Sequence, residues 1–530
     1  MKSLPWITKL CYGVGHIFND LCASMWFSYL LIFYEKVLQF DPTTAGLVLL
    51  VGQIADGLST PIVGIFSDKE NKIPLFAKYG RRKIWHLMGT VLVALSFPFI
   101  FNSCLGCRGE SRWLRLTYYV VFVCVFQFGW ACIQISHLAL IPDLTSKKHQ
   151  RTELNSIRYA FTVLSNLSVF AVTFLVLKTS STDDENLERV YRNTNCTDPQ
   201  FQEIEIEPVE KPCYLDTVGP EDVQKFNNVA LICVAVGIFF SIVFHFGVKE
   251  PKFQKVKTQQ MTRIKLSLGE EGKEERETDV EEEESKKIDT DESPASVSRI
   301  PYRRMRKRDW FKELPFYQIA IIYLATRLYV NLYQVYMPLY IQETLNLSET
   351  YIASVPFAMF LAGFFSSLLM KYINKKIGRK CSFALGCIVG LGGCLWIWLG
   401  AGNYYIYWGI FVVAALLGMG GSVLLITSLS FTADLIGQNV EGAAFVYGFM
   451  SLADKLSNGI IIMLIQDFNP EEGWYYRSVI AFACGSACLL GIFVTLTLMK
   501  TKVGHREGKI LNKLPEQPDS EVPLRPGTSS

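Results

Sequence analysis

Charged and polar side chains interrupt the long apolar stretches of this 530-residue chain, and they are the residues best placed to do chemistry. A charge in hydrocarbon costs about 3 kcal/mol on insertion scales, so each one indicates a wet cavity or a partner. Counting about 1.5 Å per residue from the ends of the stretches places one group of them near mid-depth. Its members are Asn19, Asp20 and Asp56 in the first half of the chain, and Arg327, Asn331, Lys455 and Asn458 in the second. Gln53 and Thr60 share a helical face with Asp56.

The two halves differ in the sign of these charges. Acidic groups of the first half are expected to face basic groups of the second across a central cavity, as a zwitterionic or proton-coupled substrate would need. Structural ion pairs that hold the halves together are the alternative. Gln134, His137 and Arg158 lie nearer one membrane face. A histidine there could sense an acidic compartment, since it titrates at about pH 6.5, or simply satisfy a local hydrogen bond.

The apolar stretches must position these side chains. Windows of about 20 apolar residues, the length that crosses a bilayer core, recur along the whole chain. The sequence therefore predicts an all-α membrane protein with twelve transmembrane helices in two six-helix, pseudo-symmetric halves, residues 1–249 and 313–500. The windows lie near 10–33, 45–66, 84–103, 116–141, 154–177, 228–248, 316–340, 351–370, 382–401, 404–431, 442–466 and 478–499.

The loops repeat the same chemistry in both halves. Gly80-Arg81-Arg82 follows the second stretch and Gly378-Arg379 the eighth, while Pro142-Asp143 follows the fourth and Ala433-Asp434 the tenth. Internal repeats of this kind are typical of secondary transporters, with the transport path between the repeats. We expect the charged loop residues to form a gate, in which an aspartate bridges to one of two adjacent arginines. The predicted gate residues are Asp68, Arg81, Arg82, Asp143, Arg379 and Asp434.

Loop charge predicts orientation and the parts outside the membrane. Lysine and arginine concentrate in the loops on one side, which favours cytoplasmic termini. The cytoplasmic linker 250–312 and the tail 501–530 are predicted to be largely disordered, because their polar composition cannot bury a core. Residues 178–227 are predicted to form a lumenal loop, in which Asn195-Cys196-Thr197 is a glycosylation acceptor.

Four cysteines fall on the outward side: Cys104, Cys107, Cys196 and Cys213. An oxidising exterior favours disulfides among them, with three possible pairings. Two neighbouring cysteines alone make a weak metal site, so no metal or other cofactor is predicted. No nucleophile triad or phosphate-binding loop stands out either. The chain is therefore not predicted to be an enzyme, and nucleic acid is not an expected partner.

Several motifs resemble one family. The pattern Gly64…Ser67-Asp68…Gly80-Arg81-Arg82 resembles the loop signature of the major facilitator superfamily, and residues 55–64 and 140–144 resemble its glycoside–pentoside–hexuronide symporter branch. A more specific likeness runs from about residue 8 to residue 500. It is to a subfamily of lysosomal and melanosomal transporters, and it is carried by residues 15–26, 96–107, 127–131, 433–437 and 442–448.

The resemblance implies a multi-pass protein of lysosomal and melanosomal membranes that imports cysteine from the cytosol by alternating access and so influences pigmentation. It implies that Lys455 lies close to the substrate and cation site. Sodium-coupled members of the branch carry two carboxylates one turn apart on the second helix, whereas here Thr60 stands at the second position after Asp56. Proton coupling or facilitated exchange is therefore expected instead of sodium symport.

We expect the ammonium of cysteine near Asp56 or Asp20 and its carboxylate near Arg327 or Lys455, in a protein that acts as a monomer. Two alternatives remain open at this point. One is a carrier of a sugar or a lysolipid. The other is a membrane receptor or scaffold that does not transport and acts through the linker 250–312.

Overall fold

The computed structural model describes residues 4–67, 79–107, 111–145, 147–195, 217–250, 307–436 and 443–498. Within these ranges every regular element is helical, and eleven helices are long and apolar enough to cross a membrane. The twelfth membrane helix, α7, contains Arg327 and is less apolar. The helices are α1 (Trp6–Val37), α2 (Pro42–Ser67), α3 (Lys83–Ile100), α4 (Arg112–Leu144), α5 (Lys148–Asn195), α6 (Val223–Gly247), α7 (Leu314–Leu339), α8 (Tyr351–Ile377), α9 (Arg379–Leu399), α10 (Tyr405–Ile436), α11 (Ala443–Asp467) and α12 (Tyr475–Thr497). The predicted all-α architecture is confirmed.

The two halves repeat an irregular feature at the end of their first helix. α1 finishes in a π-helical turn, Phe33–Val37, and a π-helical turn, Tyr340–Thr344, directly follows α7. A residue with positive φ follows each turn, Gln39 at 57° and Asn346 at 50°. Positive φ is uncommon outside glycine. Its recurrence at matching places marks the halves as copies of one structural unit.

Consecutive membrane helices run in opposite directions, so all chain turns fall on two faces. We define the terminal face as the one where α1 begins and α12 ends, and the distal face as the opposite one. The loop predicted over 178–227 differs from the structure, because α5 continues as helix for 48 residues and ends at Asn195. Residues 148–195 contain no proline or glycine to stop the helix. Asp68, Cys196, Cys213 and nearly all of the predicted linker and tail lie outside the described residues.

Glycines bring α2 of the first half close to α11 of the second. A Cβ on Gly46 would lie 2.9 Å from the Cβ of Gln466, and one on Gly459 would lie 2.8 Å from Leu50. Small residues at such positions let membrane helices approach closely. Nearer the terminal face the contact ends. A Cβ on Gly64 would meet only Ile135 of its own half, at 3.9 Å, and one on Gly448 would meet nothing within 4 Å.

Candidate binding site between the two halves

An ion pair joins the two halves near mid-depth, where α2 and α11 begin to separate. The carboxylate of Asp56 on α2 contacts the ammonium of Lys455 on α11. Thr60 donates a hydrogen bond to the other oxygen of Asp56 at 3.1 Å. The Lys455 Nζ also lies 4.8 Å from the centre of the Trp130 ring, within the range of a cation–π contact. Each charge is therefore satisfied inside the membrane by a partner that a competing ligand can replace.

A small pocket adjoins this pair. Asp56, Gln53 and Gln127 supply its polar lining, and aromatic side chains such as Trp26 and Trp130 supply its walls. The space open to solvent in it is about 10 Å³, which is room for about one water molecule. An organic substrate would bind here only after the Asp56–Lys455 contact opened.

A second ion pair lies within the C-terminal half. Arg327 Nε donates to Asp454 Oδ2 at 2.9 Å, and Asn458 donates to the other oxygen of Asp454 at 2.7 Å. The expectation that Arg327 faces an acidic group of the first half is therefore wrong. Successive helical residues point about 100° apart, so Asp454 and Lys455 contact different neighbours although they are adjacent in sequence.

Sequence reasoning missed Asp454. A carboxylate inside an apolar stretch was a sufficient signal, because such a group needs a partner or a cavity. Asp454 is 3% exposed, whereas the side chain of Arg327 keeps one third of its surface exposed. Asn331 is also buried on α7. Arg327 is thus the accessible member of this pair.

The polar residues of α1 have partners within the N-terminal half. Asp20 Oδ2 accepts hydrogen bonds from His16 Nδ1 at 2.9 Å and from Thr162 at 2.7 Å, so Asp20 is paired within its own half. Asn19 is buried, and its side-chain oxygen has no hydrogen-bond partner. Three other predicted residues, Gln134, His137 and Arg158, lie on α4 and α5 in the same half, where His137 is buried and the other two are half-buried.

At the distal face, polar contacts cross between the halves. Glu35 at the end of α1 accepts hydrogen bonds from Gln466 and from Tyr476, both at 2.9 Å. Beside it, Lys36 Nζ lies 2.8 Å from a carboxylate oxygen of Glu343. We call Glu35, Lys36, Glu343, Gln466 and Tyr476 the distal latch. Sequence reasoning missed it, although a carboxylate at the end of the first apolar stretch was a visible signal.

Further contacts support the distal latch. Thr43 donates to Asp467 at 3.2 Å, and Lys225 donates to Glu349 at 2.8 Å. Deeper in the membrane, Gln334 of α7 donates to Ser28 of α1 at 3.2 Å. Each of these bonds joins the N-terminal half to the C-terminal half, so the distal face is closed.

At the terminal face, the predicted gate residues pair within their own halves. Arg82 Nε lies 2.8 Å and Arg81 Nη2 3.3 Å from Asp143 Oδ2, which ties α3 to α4. Arg379 pairs with Asp434 and ties α9 to α10 in the same way. The repeat seen in the sequence is therefore a repeated ion pair. Asp68, the remaining predicted gate residue, lies outside the described residues.

Two of the four cysteines predicted to form disulfides lie within the described residues. Cys104 and Cys107 form a disulfide in the turn between α3 and α4. The other two candidate cysteines, at 196 and 213, lie outside the described residues. Across the ranges that the structure describes, no group of three or more His, Cys, Asp or Glu side chains is arranged to hold a metal ion.

Two family models match the sequence. One, described as an MFS/sugar transport protein, matches residues 11–269. The other, described as the Major Facilitator Superfamily, matches residues 216–462. Together they cover residues 11–462, from α1 to most of α11.

Similar proteins agree with these matches. Human "Major facilitator superfamily domain-containing protein 12" is 40% identical over 470 residues, which cover 88% of this chain and 86% of the human protein. The mouse protein of the same name is 39% identical with the same coverage. An uncharacterized symporter of Synechocystis is 24% identical over 88% of this chain and 85% of its own length.

Solved structures show the same fold at low sequence identity. A crystal structure of a D-xylose-proton symporter is 13% identical, with a TM-score of 0.58 over 93% of this chain and 97% of the symporter. A nucleoside transporter, NupG, is 11% identical, with a TM-score of 0.56 over 93% of this chain and all of that protein.

Proposed function

The chain belongs to the major facilitator superfamily, and on that premise we propose that it carries cysteine from the cytosol into lysosomes and melanosomes by alternating access. It is a membrane transporter and not an enzyme. The finer proposal concerns the substrate, the direction of transport and the compartment. It includes cytoplasmic termini, glycosylation at Asn195 and a monomeric working unit.

The observation that carries the proposal is the Asp56–Lys455 ion pair between the halves. A zwitterionic amino acid offers one carboxylate for Lys455 and one ammonium for Asp56, so it can replace the contact that each partner loses. A singly charged ligand would leave one buried charge unpaired, which is costly. Binding would also remove a link between the halves, and a ligand shifts a conformational equilibrium only through such differential contacts.

Cysteine is the zwitterion that the subfamily resemblance implies, and the site is consistent with a small one. The pocket beside Asp56 is narrow and has aromatic walls, so it favours a short, weakly polar side chain. Thr60 contributes only a hydroxyl beside Asp56. One carboxylate and one hydroxyl form a poor sodium cage, which favours proton coupling or exchange.

The test is uptake of labelled cysteine by organelles from cells that lack this protein, after restoring wild type, Asp56→Ala or Lys455→Ala. We expect both variants to reach the organelle and to reduce uptake by more than about tenfold, since a hydrogen bond to a charged group contributes about 1.5–3 kcal/mol. Lys9→Ala is the matched control, because Lys9 pairs with Glu153 at the terminal face, away from the pocket. We expect it to transport normally.

Two results would contradict the proposal. Normal uptake by correctly located Asp56→Ala and Lys455→Ala proteins would remove the ion pair from the substrate path. Equal uptake by empty and restored organelles would exclude cysteine and bring forward a sugar or lysolipid substrate, or a receptor that acts through residues 250–312. The family description as a sugar transport protein makes sugars the first to try next.

A further inference from the structure

Four of the six histidines of this chain cluster inside the N-terminal half. They come from four different helices: His16 on α1, His86 on α3, His137 on α4 and His245 on α6. The ring centroids of His16 and His137 are 5.4 Å apart, those of His86 and His137 are 6.0 Å apart, and those of His86 and His245 are 4.9 Å apart. The proposed cysteine site at Asp56 and Lys455 uses none of them.

Hydrogen bonds to backbone carbonyls fix the tautomers of two of these rings. His137 Nε2 lies 2.7 Å from the carbonyl oxygen of Tyr12, and His86 Nε2 lies 2.9 Å from that of Gly15. A carbonyl only accepts, so each Nε2 carries the hydrogen and each Nδ1 is left as an acceptor.

The rest of the cluster follows from this assignment. His86 Nδ1 must accept from His245 Nε2, which lies 3.1 Å away. His245 Nδ1 in turn accepts from the Tyr79 hydroxyl at 2.8 Å. Tyr79 is half-buried at the terminal face, so this chain of donors leads from that face into the half.

Two nitrogens at the inner end of the cluster have no hydrogen-bond partner. His16 donates through Nδ1 to Asp20, which leaves His16 Nε2 unpaired. His137 donates through Nε2, which leaves His137 Nδ1 unpaired. Both rings are buried, with 3% and 0% exposure, and an unsatisfied buried polar atom is unfavourable. One added proton on His16 Nε2 would give that nitrogen a hydrogen to donate, and the ring of His137, which carries the other bare nitrogen, lies 5.4 Å away centre to centre.

The surrounding charges favour one proton at this place and disfavour a second. Asp20 accepts from both His16 and Thr162, so its carboxylate is ready to balance an imidazolium. Arg158 acts electrostatically on His137 and opposes a further positive charge there. The titratable and charged groups that face the cluster are Tyr12 and Asp20 from α1, Lys83 and His86 from α3, His137 from α4, Arg158 from α5 and His245 from α6.

We propose that His16, held by Asp20, is the proton-binding site of this transporter, with the proton on His16 Nε2 beside the ring of His137. The proton comes from solvent at the terminal face, where the hydrogen-bonded chain of Tyr79, His245 and His86 ends on the carbonyl oxygen of Gly15, the residue before His16. This inference rests on the proposed transport function and places proton binding in the N-terminal half, separate from the Asp56–Lys455 pair that binds substrate.

The test uses purified full-length protein in liposomes and two modes of cysteine transport. Exchange at equal pH on both sides reports substrate binding and alternation alone. Uptake driven by an imposed pH gradient also reports proton coupling. We expect His16→Gln to keep exchange within about twofold of wild type and to lose the stimulation by the gradient. His137→Gln should weaken that stimulation. Thr162→Val, which removes a hydrogen bond to Asp20 but no titratable group, should retain it.

A spectroscopic experiment tests the proton site without any substrate. In protein labelled with ¹⁵N-histidine, we expect one pH-dependent imidazole resonance of the wild type to be absent from His16→Gln. The proposal is overturned if His16→Gln keeps the full gradient response, if it loses exchange and gradient-driven uptake in equal measure, or if the titrating resonance persists. Absence of exchange by wild type would instead contradict the cysteine function, and the resonance would still test the proton site.

Discussion

The two faces of the molecule use similar charged residues in opposite ways. At the distal face, the pairs of Glu35 with Tyr476 and of Lys36 with Glu343 join one half to the other. At the terminal face, the pairs of Arg82 with Asp143 and of Arg379 with Asp434 join helices of the same half. The first kind resists separation of the halves, whereas the second only makes each half rigid. The structure is therefore the conformation closed at the distal face.

The contact between α2 and α11 shows how far this closure extends. The helices pack closely from Gly46 to Gly57, where a Cβ added to Gly57 would lie 3.3 Å from Leu452. Beyond the Asp56–Lys455 pair, a Cβ on Gly64 would meet no atom of α11 within 4 Å, and one on Gly448 would meet no atom at all. A substrate arriving from the terminal face would meet this pair first. Transport then requires the distal latch to break while the terminal ends approach.

Glu35→Ala should have the largest effect on the equilibrium between the states that are closed and open at the distal face. The substitution leaves the Tyr476 hydroxyl and the Gln466 amide without their buried acceptor, and each loss costs about 1–3 kcal/mol. We expect the equilibrium to move tenfold or more toward the distal-open state. Labelling of a cysteine introduced at position 43 measures this opening. Tyr476→Phe, which removes one of the two bonds, is the graded control and should shift the equilibrium less.

Breaking the ion pairs at the terminal face should have a smaller effect than Glu35→Ala. It should lower the stability of the protein without opening the distal face. Arg379 and Asp434 are about half exposed, so Asp434→Asn should lower the free energy of unfolding by at most about 1 kcal/mol. Asp143→Asn should cost more, because Asp143 serves two largely buried arginines. Thermal unfolding in detergent measures both. An increase in labelling at position 43 in either variant would contradict the distinction between the two faces.

The positions of the helices and the internal repeat could be predicted from the sequence, because the length of an apolar stretch and the charge of a loop are local properties. The pairing of side chains on different helices could not be predicted. Helical spacing places Asp20 and Asp56 on faces of their own helices, but it does not give the rotation of those helices relative to α7 and α11. Arg327 was consequently expected to face the acidic groups of the other half, whereas its partner is Asp454, which lies beside Lys455 in the sequence.

Two other features depended on contacts between distant segments. The distal latch needs the ends of α1, α7, α11 and α12 to meet, which no single window of sequence shows. The histidine cluster likewise draws one residue from each of four helices. The helical extension of α5 to Asn195 was a local feature, and the absence of proline and glycine was its signal.

A last effect on stability concerns Asp41, which accepts hydrogen bonds from Thr44 at the start of α2 and pairs with Arg112. Burial alone would raise the pKa of Asp41, but the bonds from Thr44 and the charge of Arg112 outweigh it and lower that pKa. Its contribution to stability is therefore present above the unfolded pKa of about 3.9 and is lost only as the pH falls through the lower folded value.

We expect Asp41→Ala to lower the free energy of unfolding by about 0.5–2 kcal/mol, as loss of a helix cap does. The difference from wild type should be the same at pH 7 and pH 5. Thermal unfolding at the two pH values measures it. A difference that disappears at pH 5 would show that Asp41 is already protonated there.

The most direct test of alternating access is a pair of distances measured by electron spin resonance in one sample series. One label pair replaces Thr43 and Asp467 at the distal face, where the side chains lie 3.2 Å apart. The other replaces Ile65 and Gly448 on the terminal side, where Ile65 is exposed and a Cβ on Gly448 meets no atom. Without substrate, we predict a short distance at the distal face and a long one at the terminal face. When cysteine is added, or in the Glu35→Ala variant, we predict a second population with a long distal and a short terminal distance. The account would be contradicted if the two distances lengthened or shortened together, or if neither cysteine nor the Glu35→Ala substitution changed them.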